Sequence, residues 1–241
     1  MVEETAIGGP AREFPATRWT LIAGARAGPE ARRAALAELL ETYWKPLYYY
    51  VRRKGAAVEP AKDAVQGFFA QLLGRDFLDR LDPSRGRFRS FLRASMDHYL
   101  ANAHEKQSAQ RRGGGSPVLS LDVEGAERGM SGLPAAAGEA FDRQWAAQVM
   151  ERALGRLRRE FDDGGRRGPL DAVLDFFRPL PPPTYVEAAA RAGLSVAQLK
   201  AFLHRVRVRF RELVRDEVAQ TVADPTEIEA EMGELVRALK P

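Results

Sequence analysis

Cysteine is absent from the 241-residue chain, and histidine occurs only as His98, His104 and His204. The first absence excludes disulfides, thiolate-bound zinc and thiol nucleophiles. With so few histidines, spread along the chain, a histidine-rich metal site is not expected, and neither is a cofactor. No phosphate-cradling Gly-rich loop and no nucleophile motif occurs, so the sequence reads as non-enzymatic. The acidic pair Asp162–Asp163 stands beside Gly164–Gly165 and reads as a turn. No apolar run approaches the roughly 20 residues of a membrane span. The opening MVEETAIGGPAREFPA carries acids and no apolar core, unlike a secretory signal. These absences predict a soluble cytoplasmic protein.

Hydrophobic residues make up 45%, enough to bury a core. Lys+Arg 37 against Asp+Glu 33 leaves a net charge of only +4, so where the charges lie matters more than their sum. Apolar residues recur at helical spacing through Leu36, Leu39, Leu40, Tyr43, Trp44, Leu47, Tyr48 and Val51, and Gly55 closes that element. EPAKDAVQGFFAQLL gives a second stripe, and Phe88–Lys106 a third, through Phe88, Phe91, Leu92, Met96, Tyr99, Leu100 and Ala103. No strand pattern and no repeat is found. Residues 111–138 are rich in Gly, Pro, Ser and Ala and lack a sustained period, which reads as a tether. The expectation is an all-α fold of two small helical domains. A flexible arm (1–16) precedes the first domain (17–112). A flexible linker (113–139) leads to the second (140–218), which contains a helix–turn–helix, and an acidic amphipathic helix follows (219–241).

Arginine falls at 205, 207, 209 and 211, an alternation that could suggest a strand. The surrounding residues favour helix, however, and Ser195 can cap its start. At 100° per residue, Leu199, Leu203, Val206, Phe210, Leu213 and Val214 share one face, and the arginines become two flanking columns. Upstream, Thr184 and Glu187 have capping-box spacing, and Gly193 marks a tight turn. Helix, turn and second helix match a motif whose second helix enters the major groove. Between Arg191 and Arg215 there are seven bases and one acid, Glu212, a local +6 suited to phosphates. Candidate contacts to duplex DNA are Ser195, Gln198, Lys200, Ala201, His204, Arg205, Arg207 and Arg209. The plainer alternative is a basic solvated helix packed on a bundle.

A second basic segment runs from Arg85 to Arg112, with Phe88, Phe91 and Tyr99 interleaved. Cations with aromatics can hold single-stranded nucleic acid. The three rings lie on the core stripe, so the better candidates are off it: Arg87, Arg89, Arg93, Asp97, His98, Asn102, Lys106, Arg111 and Arg112. An ordinary solvated face competes with this reading.

KDAVQGFFAQLL, then GRFRSFLRASMDHYLANAHEKQSAQRR, then YVEAAARAGLSVAQLKAFLHRVRVRFREL, in this order and spacing, resemble the extracytoplasmic-function sigma factors of bacterial RNA polymerase over about residues 17–218. The resemblance implies a factor that binds core polymerase and directs promoter recognition and opening. It implies that the first segment grips the polymerase clamp, through Asp63, Gln66, Phe69 and Gln71. The second would open and read the minus-ten element as melted strand, and the third would read the minus-thirty-five element as duplex. The tether would thread toward the catalytic cleft, its Asp122, Glu124 and Glu127 near the nucleic-acid channels. Partners would be core RNA polymerase and promoter DNA, with an inhibitor protein or regulatory kinase as further candidates. Two departures stand out. The clamp helix has Lys62 before Asp63, and Gly67 where an acid is common in the family. Some relatives lacking those acids are activated by phosphorylation there, yet EPAKDAVQGFF offers no Ser or Thr. The main alternative is a helix–turn–helix regulator that acts without being a polymerase subunit.

In the tail, Asp224 is a candidate N-cap, Pro225 the first helical residue and Glu227 the partner of a capping box. Ile228, Met232, Leu235, Val236 and Leu239 form its stripe, and residues 219–241 carry five acids and two bases. Two roles stay open, a shield over the basic helix or simple packing on the second domain.

Overall fold

Three consecutive tyrosines show how the chain is organised. They sit in α1 (Pro29–Arg53), and the computed structural model describes residues 28–72, 87–109, 121–163, 167–177 and 181–240, with backbone only at 32, 36 and 103–109. Successive helical side chains point about 100° apart, so Tyr48, Tyr49 and Tyr50 reach different surroundings. The Tyr48 hydroxyl donates to Glu127 (2.6 Å), that of Tyr49 to the Ala126 carbonyl (2.7 Å) and that of Tyr50 to Asp97 (2.9 Å). All three are buried. A helix buried over such a wide arc is a central one.

The described residues form nine α-helices and no strand, and the fold is all-α. After α1 come α2 (Val58–Leu72) and α3 (Phe88–Ala109). The short α4 (Val123–Gly129) ends in a 3-10 turn, Met130–Gly132. The long α5 (Ala137–Asp163) leads to α6 (Arg167–Leu174), followed by a 3-10 turn, Asp175–Phe177. Then come α7 (Tyr185–Ala192), α8 (Val196–Ala219) and α9 (Ile228–Leu239).

The separation into two domains is not found. The stripe of α5 (Phe141, Trp145, Ala146, Val149, Ala153 and Leu157) is buried, and α5 packs most extensively against α1 and also against α8 and α9. Leu39 and Val65 of the expected first domain join Leu203, Val214 and Leu235 of the second and the tail in one contiguous core. The ring of Tyr50 meets that of Phe141 edge-on at 6.2 Å, and the Phe88 amide donates to the Thr221 carbonyl at 3.2 Å.

The flexible linker over 113–139 needs the same correction across its described part. Residues 121–139 include α4, its 3-10 turn and the first residues of α5. Asp122 caps α4 by accepting from the Gly125 amide (2.9 Å). Glu127 takes a two-armed contact from Arg52 (2.8 and 2.9 Å), and Arg53 donates to the Met130 and Leu133 carbonyls (both 2.8 Å). Of the three acids read as channel-facing tether residues, Asp122 is a cap and Glu127 a dock, while Glu124 is exposed in the first turn of α4. Small residues misled because Ala126 is wholly buried against α1. The arm 1–16 lies outside the described residues. Among the described residues, no helix is long and apolar enough to cross a membrane.

Candidate nucleic-acid interface

Local sequence fixes how α8 is presented. Thr184 and Glu187 form a complete capping box at the start of α7. Gly193 takes φ 65°, the left-handed region that costs glycine nothing. Its amide donates to the Ala190 carbonyl (3.2 Å) and that of Leu194 to Ala189 (3.0 Å), the double closure of a Schellman end. Ser195 then opens α8 with a second capping box, its hydroxyl accepting from the Gln198 amide while Gln198 accepts from the Ser195 amide. The expected turn between two helices is therefore held at both ends by hydrogen bonds rather than by packing alone. Leu199, Phe202, Leu203, Val206, Leu213 and Val214 face inward, and the Phe202 ring meets Phe161 of α5 edge-on at 5.6 Å.

The opposite face is exposed at Ser195, Gln198, Lys200, Ala201, His204, Arg205, Arg207 and Arg211. Its cations divide into two groups. Lys200 lies over the Tyr185 ring at 5.0 Å and Arg205 over Phe202 at 5.9 Å. Arg207 and Arg211 are exposed, and none of these four meets a carboxylate among the described residues. By contrast Arg209 is clasped by Glu160 of α5 and by Glu212, all at 2.7–2.8 Å. The Glu160 hydrogen bond holds the Arg209 pKa above its ordinary value and the Glu160 carboxyl below its own. Arg209, expected on DNA, instead ties α8 to α5. Arg191 pairs with Asp175 (3.0 Å), and Arg215 pairs with Glu229 of α9. Uncompensated charge thus concentrates between Lys200 and Arg211, while Ala197, Ala201 and Val208 keep the middle of that face low.

The arginines of α3 and the residue before it are placed differently from expectation. Arg89 is 4% exposed. It donates to Glu231 of α9 (2.6 Å) and to Asp142 of α5, and its guanidinium lies 4.7 Å over the Trp145 ring. Burial opposes its charge, but the Glu231 and Asp142 contacts outweigh burial and raise its pKa. Arg87 pairs with Glu231 (3.0 Å), and Arg93 pairs with Asp142 (3.2 Å) over the Phe141 ring. Asp97 is held by Tyr50 and by Lys54 (2.6 Å). Hence Arg87, Arg89, Arg93 and Asp97 are engaged within the protein, and Arg89 is not an open surface residue. His98 and Asn102 are exposed. The side chain of Lys106, and residues Arg111 and Arg112, lie outside the described set.

On α2, Asp63 and Gln71 are exposed, but Phe69 is wholly buried and Gln66 nearly so. Those two cannot meet a partner as α2 now lies, because the helix turns them into the core with Val65 and Leu72. Gly67 has a packing reason: a Cβ there would collide with the Tyr99 hydroxyl.

Glu231 is the residue that sequence reasoning missed most clearly. It is 0% exposed, whereas Val236 of the expected stripe is 53% exposed. The helix presents Ile228, Glu231 and Leu235 inward because two guanidiniums await Glu231. Asp224 caps the 3-10 turn Pro225–Glu227 through the Thr226 amide (2.8 Å), rather than opening α9 through Glu227. No group of three metal-ligating side chains occurs among the described residues. Comparison with known proteins gives no matching family model, no curated relative and no similar solved structure.

Proposed function

We propose that this chain is a promoter-recognition factor of the sigma type, non-enzymatic, which acts with core RNA polymerase and reads duplex DNA through α8. One observation carries the reading. The exposed face of α8 bears Lys200, Arg205, Arg207 and Arg211 without carboxylate partners among the described residues, on a helix whose N-terminus is fixed by the Ser195–Gln198 capping box. A helix so presented fits the major groove, with cations on the phosphates and small residues leaving room for base edges. Counterion release from the phosphates supplies affinity. The polymerase arm of the proposal rests on the sequence resemblance and on exposed Asp63 and Gln71.

Run-off transcription with purified core polymerase and genomic promoter fragments tests the proposal. A transcript that depends on this chain is the expected result. If no promoter becomes competent while duplex binding persists, the chain is a regulator that works without joining polymerase. Burial of Gln66 and Phe69 favours that second reading. Within α8, Arg207→Ala should weaken all duplexes about equally and reduce the salt slope by about 1. Arg205→Ala should cost about 1–3 kcal/mol if it reaches a base edge. His98→Ala should leave duplex affinity unchanged and slow strand opening.

A further inference from the structure

Arg87, Arg89 and Arg93 face three carboxylates, Asp142, Glu231 and Glu234, brought by α5 and α9. Two of these guanidiniums also lie over rings, Trp145 and Phe141. Both rings are wholly buried, so the guanidiniums above them are what the phosphates of a single strand would reach. Here carboxylates occupy the phosphate positions. We propose that α9 is an internal stand-in for a nucleic-acid strand, covering Arg87 and Arg89 at the start of α3 with Glu231 and Glu234, so that α9 and single-stranded DNA compete for these two arginines, while Arg93 stays with Asp142 of α5. The proposal rests on the strand-reading role given to α3 above.

Three features distinguish this from ordinary packing. Glu231 is wholly buried, and a buried ion pair is often less stabilising than apolar residues of the same shape. Yet the helix turns that carboxylate inward and leaves Val236 and Leu239 exposed. Its apolar hold is modest, with Ile228 and Leu235 buried and Met232 and Ala238 partly so. Finally, α9 does not cover the free cations of α8. Among the described residues its ion pair with an arginine of α8 is Glu229 with Arg215, beyond the segment Lys200–Arg211. The two nucleic-acid surfaces are therefore controlled separately: the duplex face is open, and the strand face is closed.

The test measures binding of a 5′-labelled single-stranded oligonucleotide of ~20 nucleotides, longer than a typical binding site, to full-length chains at fixed salt. Glu231→Gln with Glu234→Gln should bind it about 10–100-fold more tightly than wild type, the factor by which a closed state depresses apparent affinity. Promoter-duplex affinity should stay unchanged. A charge-matched control, Glu30→Gln with Glu151→Gln, alters two exposed acids elsewhere and should show no gain. Equal gain in the control, or equal gain for duplex, overturns the proposal, since bulk charge would explain it. No gain in a folded double variant overturns it too. Should the double variant fail to fold, amide exchange on the wild-type chain decides. Saturating oligonucleotide should speed exchange across 228–239, and binding without that change sinks the idea. Equal, measurable strand binding by wild type and double variant is failure of this proposal alone, whereas no strand binding by either is failure of the strand-reading role of α3 as well.

Discussion

Single residues show where an apparent functional signal is a packing constraint. Gly67 stands where the resembled family often has an acid, yet the Tyr99 hydroxyl covers its Cα. Tyr99 is held by the core, its ring edge-on to Phe68 at 6.0 Å. Adding a methyl in a filled space usually costs about 1–3 kcal/mol. Gly67→Ala should therefore lower the urea midpoint, and Tyr99→Phe, which removes the covering oxygen, should recover part of that loss in the double variant. Additive losses would mean the two do not touch. Arg209 follows the same logic. Its two carboxylate partners make it a brace between α5 and α8, so Arg209→Ala should cost about 1 kcal/mol, modest because the site is partly solvated. Its effect on the salt dependence of duplex binding should be smaller than that of Arg207→Ala.

Elements carry the next level, and the docking of α4 on α1 is their clearest case. The Arg52 hydrogen bond holds the Glu127 carboxyl below its ordinary pKa. A carboxyl depressed in the folded state contributes stability above its unfolded value, near pH 4.3, and loses it as pH falls through the folded pKa. The tyrosines act at the other end of the scale. Burial, with Glu127 and Asp97 nearby, raises the pKa of Tyr48, Tyr49 and Tyr50. Their contribution is complete below pH ~10 and falls above it, where the unfolded phenols ionise first. Melting temperatures of wild type and Glu127→Gln should therefore converge in acid. Wild type should also lose stability above pH ~10, with Tyr48→Phe losing less. A constant gap between wild type and Glu127→Gln from pH 3 to 7 would rule out the acid half. This level also separates what the sequence could reveal from what it could not. The Thr184 capping box and the Ser195 cap on either side of Gly193 were legible, because residues three or four apart determine them. The docking of α4 was not, because Glu127 lies 75 residues from Arg52 and nothing local names the partner.

At the scale of the molecule, the decisive contact is α1 with α5, which turns two expected domains into one core. Periodicity identified the stripe of each helix but not its partner. Phe141 and Trp145 fit a self-contained second domain as well as they fit α1. The Gly- and Ser-rich stretch before Phe141 supplies a false boundary. The exposed face of α8 was legible through its apolar opposite, whereas the closure of the α3 arginines depends on acids 53 and 142 residues away. A shared core makes a thermodynamic demand, since burying α1 against α5 leaves neither half a complete surface to fold upon. Far-UV circular dichroism and tryptophan fluorescence should give coincident urea transitions, as for one cooperative unit. Replacing Phe141 by Ala removes a wholly buried ring between α5 and Tyr50 and should cost about 3–5 kcal/mol. It should shift the whole transition, including the helicity of α7 and α8. Two separable transitions, with Phe141→Ala moving only one, would show that the core divides at 140 after all and would restore the tethered arrangement.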